Sequence, residues 1–102
     1  MAGVFPAHGL TTLYYLARKH ASKPDAEATM DRVLAAFQLG NLDRNAWQEA
    51  RGLPMADFED AAVAMVAKTS ASSLIITRNT QDFANSPVPT ISPADFLSQM
   101  PA

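Results

Sequence analysis

The feature that most constrains this chain is an unbroken apolar run, Leu74-Ile75-Ile76-Thr77, between two polar segments. Short continuous runs rich in β-branched residues are typical of strands covered on both faces, as in parallel sheets flanked by helices. The alanine-rich stretch from Ala61 to Lys68 precedes this run and predicts a helix. A helix followed by such a strand indicates an α/β fold, in which ligands bind beyond the carboxyl ends of the parallel strands.

Acidic and amide side chains stand at both ends of this helix–strand segment. Asp57 and Asp60 fall in the predicted first turn of the helix, on one face, where the helix dipole favours acids. Asn79 and Asp82 directly follow the strand. We therefore expect Asp57, Asp60 and Asp82 to share one partly open cleft, with carboxylates of the kind that bind Mg²⁺ or Mn²⁺. The alternative is that the helix acids only complement the dipole and Asp82 only caps a turn.

The remainder of the chain predicts short elements around this segment. A strand tail at residues 4–7 and a helix at 9–21 come first, and a second helix starting near Pro24 has an apolar stripe at Met30, Val33, Leu34 and Phe37. Residues 37–42 either end this helix or form a short strand. A third helix, capped by Asp43 or Asn45, carries Trp47. A brief strand at 89–91 and a last helix capped by Ser92, with Asp95 in a capping role, complete the chain.

Large apolar side chains are expected in the core. We expect Trp47 to anchor it, and Phe58 and Met65 to be buried by the helix that follows Asp57. No group of exposed aromatic residues is then left as a stacking platform for bases. His8 and His20 are interpreted as surface or helix-end residues, because no second histidine stands at a metal-binding spacing.

Size and composition limit the classes of function. With 102 residues, the chain allows one domain with a modest core. The sequence contains 48% hydrophobic and 18% charged residues, no cysteine and no apolar stretch of membrane-spanning length, which fits a soluble cytoplasmic protein. Its formal net charge of −2 argues against nucleic-acid binding through a large basic surface. It does not exclude a metal-dependent nuclease, whose site is acidic before cations bind.

The second half of the chain resembles a known family. Asp57-Phe58-Glu59-Asp60-Ala61-Ala62, then Ile75–Phe83 and Ser92–Leu97, are similar to the C-terminal part of PIN domains, in the bacterial branch whose turn reads TRN..DF. Leu10–Leu16 resembles the family's helix after its second strand. The resemblance implies a three-layer fold with a parallel sheet between helices. It also implies metal-dependent cleavage of single-stranded RNA, and for many members a toxin role with an antitoxin partner.

The resemblance assigns roles to particular residues. Asp60 and Asp82 correspond to metal-binding acids, Asp57 is an additional acid at the same helix start, and Asn79 and Thr77 would orient water or metal. Two departures stand out. Thr12 occupies the position that often holds Glu, and the family's first strand with its near-invariant Asp has no counterpart, so the fold is expected to be incomplete at the N-terminus.

These departures leave two functional hypotheses. One is a ribonuclease of the PIN lineage that binds Mg²⁺ or Mn²⁺ weakly and has little or no activity as this chain. The other is a non-enzymatic interaction module that works through a protein partner or self-association. A PIN sheet without its first strand exposes apolar side chains and unpaired backbone groups, so we also expect a homo-oligomer.

Overall fold

A computed structural model describes residues 3–99 of the chain. It divides into two compact units, one reaching Asn41 and the other starting at Leu42. Within the described range there are five α-helices, and each unit contains one pair of parallel strands. This mixed architecture confirms the α/β, PIN-like fold class, with the strands arranged in two pairs. None of the helices in residues 3–99 is both long and apolar enough to cross a membrane.

The first unit contains two strands and two α-helices. Strand β1 (Gly3–Pro6) and a short 3-10 turn lead into α1 (Leu10–His20), α2 (Lys23–Ala36) and β2 (Phe37–Gly40). The strands pair in parallel, from Gly3 opposite Phe37 to Pro6 opposite Gly40. Of the segment at 37–42, for which the sequence left two alternatives, residues 37–40 therefore form a strand.

The apolar stripe predicted for α2 is wrong at its C-terminal end, because Leu34 and Phe37 are both exposed. The helix ends at Ala36, so Phe37 belongs to the strand pair, where its ring lies 6.2 Å from that of Phe5. Gly3 faces the same ring so closely that an added Cβ would lie 2.7 Å from it. A larger residue at this position would displace the Phe37 ring from the pair.

The second unit is built from three helices and a second strand pair. It contains α3 (Arg44–Gly52), α4 (Phe58–Thr69), β3 (Ile75–Ile76), a 3-10 turn (Thr80–Phe83), β4 (Thr90–Ile91) and α5 (Pro93–Gln99). Asp43 Oδ1 accepts a hydrogen bond from the Ala46 amide at 2.8 Å, and Ser92 Oγ accepts one from the Asp95 amide at 3.1 Å. The Ser92 cap was expected from the sequence, and Asp43 is one of the two residues expected to cap α3.

Helix α4 is the central element of this unit, because it is buried on two sides. One side packs with α3 in a cluster of small residues and one methionine. The other side packs with β3 and the segment that follows it. The two buried clusters are Ala46, Ala50, Ala61 and Met65 on the first side, and Ala64, Ala67, Ile75, Phe83 and Val88 on the second. Met65 is 1% exposed, which confirms its predicted burial.

Strand β3 is covered on one face only. Its amides pair with the last strand, Ile75 N–H donating to Pro89 O and Thr77 N–H to Ile91 O. Ile75 is buried, but Leu74 and Ile76, which point to the opposite face, are 40% and 50% exposed. The prediction of burial on both faces is therefore wrong for this strand. Helix α4 supplies the cover for one face, and among the described residues of this unit no element covers the other.

The C-terminal end of α4 is closed by a tight turn. The Ala71 amide donates to Lys68 O and the Ser72 amide to Ala67 O, the pair of bonds that defines a Schellman motif. This motif places Ala71 in the left-handed region, at φ 57°. Glycine usually occupies that position, because a Cβ is disfavoured there.

We predict that Met65→Ala lowers the free energy of unfolding by about 2–5 kcal/mol, because it empties a volume between α3 and α4 that has no access to water. Urea denaturation followed by circular dichroism measures this change. Leu97→Ala is the matched control, since Leu97 is 67% exposed and its removal leaves no internal cavity. A loss at Met65 no larger than that at Leu97 would contradict the central packing role of α4.

Candidate active site

The first turn of α4 contributes Asp57 and Asp60, but in different roles. Asp57 is the residue before the helix, and its Oδ1 accepts a hydrogen bond from the Asp60 amide at 2.9 Å. This is an N-cap, which satisfies a backbone donor that the helix itself leaves without a partner. Asp60 lies inside the first turn and is partly buried. Of the two acids, Asp57 is therefore the one that holds the helix start, and Asp60 is the one that the fold partly encloses.

The turn after β3 contributes Asn79 and Asp82. Thr77 Oγ1 accepts a hydrogen bond from the Asn79 amide at 3.1 Å, and Asn79 O accepts one from the Asp82 amide at 3.0 Å. These two bonds fix the chain direction directly after the strand, and Arg78 to Asp82 line a small polar recess there. Thr77 therefore stabilises the turn that carries Asp82.

Charges from both segments act on the Asp60 carboxyl group. The pKa of Asp60 is raised from its ordinary value of 3.8, first because partial burial disfavours its charged form, and then because of the charges of Asp57, Asp82 and Glu59. Asp82 lies in a different element, the turn after the strand, and its charge nevertheless acts on the acid at the helix start.

The carboxylates do not by themselves form a metal centre. Within residues 3–99, no three His, Cys, Asp or Glu side chains are arranged to hold a metal ion. Asp57 is turned to the Asp60 amide, which leaves Asp60 and Asp82 as a pair. A pair can contribute to a Mg²⁺ site only when waters or substrate oxygens fill most of the shell.

A pair of aromatic residues beside the first turn of α4 was not expected from the sequence. Phe58 is 49% exposed, so its predicted burial is wrong, and Trp47 is only half-buried. Their ring centroids lie 5.8 Å apart with the planes tilted by 50°. Phe58 is the first residue of α4, one turn before the alanines that α3 covers, so its ring extends past the covered part of the helix. The spacing of Arg44, Trp47, Gln48 and Arg51 on one helical face was the signal available in the sequence.

The coupling between Asp60 and Asp82 can be measured directly. We predict that Asp82→Asn lowers the pKa of Asp60 towards its ordinary value, because it removes one of the charges that oppose ionisation. A carboxyl-carbon NMR titration measures the change. Asp95→Asn, which alters an acid at the start of α5, is the control and should leave the Asp60 titration as it is. An unchanged Asp60 pKa in Asp82→Asn would show that the two carboxylates are not neighbours.

The same shift makes a prediction for stability. The raised pKa means that the folded chain holds this proton more tightly than the unfolded chain. The contribution of Asp60 to stability is therefore greatest at acidic pH, and it falls as the pH rises from 3.8 through the raised pKa. We expect Asp60→Asn to gain melting temperature relative to wild type at pH 7 and to lose that gain as the pH is lowered through the raised pKa to 3.8. A gain that is constant with pH would contradict the shift.

Comparison with known proteins identifies the family of the chain. None of the curated proteins searched matches the chain. A model of the PIN domain family matches residues 1–81, which is most of the sequence. Asp57, Asp60 and Asn79 lie inside the matched range, and Asp82 is the first residue beyond it. The chain therefore belongs to the PIN domain family.

Proposed function

We propose that this chain is a PIN domain of the single-strand ribonuclease lineage, with Asp60 and Asp82 as its central carboxylates. The observation that carries the proposal is that the charge of Asp82 acts on Asp60, an acid of a separate element, in a chain whose family generally consists of nucleases. Asp57 is an auxiliary acid that holds the helix start, and Asn79 and Thr77 hold the turn. RNA is the substrate that the family typically binds.

We further propose that hydrolysis by this chain is weak or absent. Family members generally use divalent metals, and Mg²⁺ or Mn²⁺ is the expected cofactor here. The described residues provide two neighbouring carboxylates and a third that is engaged in capping, which supports only weak binding of such an ion.

A second candidate function is that of an interaction module, acting on a protein partner of antitoxin type or on a second copy of the chain. Exposed apolar side chains support it. In the second unit Leu74 and Ile76 stand exposed on one face of β3, and the Ile76 backbone groups point away from β4. An uncovered strand edge with apolar neighbours favours pairing with another chain. In the first unit Leu16, Leu34 and Leu39 are similarly exposed.

We predict little or no cleavage of single-stranded RNA by the chain with Mn²⁺ present, because too few carboxylates hold the ion. A gel assay with an end-labelled oligonucleotide measures cleavage, and Asp60→Asn and Asp82→Asn are run beside the wild type. Any residual cleavage is expected to disappear in both variants, whereas Asp31→Asn, on the exposed side of α2, should keep it. Robust cleavage that survives both site substitutions would place the chemistry elsewhere.

We also predict self-association at micromolar concentration through the open face of β3. A stable interface of this kind buries on the order of 2,000 Å² in total, and two-fold symmetry is the commonest arrangement. Size exclusion with light scattering measures the molecular mass of wild type, Ile76→Lys and Ala28→Lys. Ile76→Lys is expected to be monomeric, whereas Ala28→Lys adds the same charge at an exposed position of α2 and should not change the mass. A monomeric wild type would contradict the proposal.

A further inference from the structure

One face of α3 combines two cations with an aromatic surface. Arg44, Trp47, Gln48 and Arg51 recur at intervals of three and four residues, so they lie along one side of the helix. With Phe58 from α4 they line an open groove of about 420 Å³. All five residues belong to the second unit and lie outside the two buried clusters. The groove is therefore a surface feature outside the buried core of the unit.

The aromatic part of the groove has the geometry of a stacking surface. The Trp47 and Phe58 rings are neighbours with tilted planes, and about half of Phe58 is in contact with solvent. An exposed ring pair loses unfavourable contact with water when a flat apolar group covers it. A nucleobase is such a group, and every base offers a face that stacks on aromatic side chains.

The charged part of the groove favours an anion. Arg44 and Arg51 stand seven residues apart, about 10 Å along the helix axis, so they lie on either side of Trp47. The acid of α3, Glu49, points instead to α4, where it forms an ion pair with Lys68. The groove face of α3 thus carries two positive charges on a chain whose net charge is −2. Guanidinium groups bind phosphate oxygens in pairs and also stack on bases.

We propose that this groove binds a short segment of single-stranded RNA, with a base stacked on the exposed Phe58 ring beside Trp47 and the adjoining phosphates held by Arg44 and Arg51. The inference rests on the proposed function for the choice of RNA as the polymer. An acidic peptide could pair with the two arginines, but its carboxylates provide no aromatic ring to stack on the aromatic surface. RNA provides both the charge and the planar face.

The groove and the carboxylate pair are adjacent in sequence, because both include residues of the first turn of α4. Phe58 stands between Asp57 and Asp60, so the stacking surface and the acids share the first turn of α4. A strand seated on the groove therefore lies within about one helical turn of Asp60. The groove thus acts as a positioning site for the RNA, whether or not the carboxylates cleave it.

The chain contains a built-in probe for the test, because Trp47 is its only tryptophan. Fluorescence is titrated with an oligouridylate in EDTA, so that neither metal nor cleavage is involved. We expect saturable quenching in the wild type, and binding roughly tenfold weaker to an abasic oligonucleotide of equal length, which keeps the phosphates and loses the stacking. Equal quenching by oligoglutamate would assign the groove to an acidic protein and overturn the proposal.

Variants separate the stacking from the charge. Phe58→Leu keeps an apolar side chain and should weaken oligouridylate binding roughly tenfold, as measured by anisotropy of a labelled oligonucleotide. Arg44→Gln and Arg51→Gln should each reduce the slope of log affinity against log salt by about one. Arg18→Gln, an exposed arginine of α1, is the matched control and should leave the slope unchanged. Circular dichroism confirms that each variant is folded.

The anisotropy data also distinguish failure of the groove from failure of the proposed function. If the wild type binds RNA and the three groove variants bind it equally well, the groove is wrong and RNA remains a ligand of the chain. If the folded wild type binds no RNA, then RNA is wrong for both the groove and the carboxylate pair. Loss of binding in the groove variants alone, with Arg18→Gln unaffected, supports the groove.

Discussion

The packing of alanine methyl groups between α3 and α4 is the contact on which the second unit depends. Ala46 and Ala50 of one helix meet Ala61 of the other, and their small side chains let the helix backbones approach closely around Met65. The opposite side of α4 buries Ala64 and Ala67 against the strand segment. A helix held on both sides has a fixed axial position. That position sets where its first turn lies, and with it Asp60, the Asp57 cap and the Phe58 ring.

Much of this arrangement follows from sequence pattern. The helix of α4, the strand at Ile75 and Ile76, the short strand at residues 90–91 and the Ser92 cap all come from local rules of propensity, capping and periodicity. The effect of the Asp82 charge on Asp60 fits the expectation that acids flanking a helix–strand unit lie towards one edge of the sheet. These features can be predicted because they depend on interactions among a few neighbouring residues or on one general property of parallel sheets.

Other features depend on what neighbouring elements leave uncovered, which no single segment records. The exposure of Phe58 and of Ile76 follows from where α3 and α4 stop covering their neighbours. Asp57 is a different case, because its capping role is local. An acid three residues before the amide it accepts from, at the start of an alanine-rich helix, has the same spacing as the Ser92 cap. The cap at Asp57 could therefore have been predicted from the sequence, since it needs no information from distant elements.

Ala71, the left-handed residue that closes α4, has an unfavourable backbone conformation whose energetic cost the packing of this helix offsets. A non-glycine residue in that region costs roughly 1–2 kcal/mol, a noticeable part of the roughly 5–15 kcal/mol that separates typical folded and unfolded domains. Ala71 stays there because hydrogen bonds to Lys68 O and Ala67 O fix the turn. The chain therefore keeps a locally unfavourable backbone at the exit of its most buried helix. Selection removes variants whose stability falls below a threshold and does not maximise stability. At this turn the chain has alanine in a left-handed conformation that glycine would adopt at lower cost.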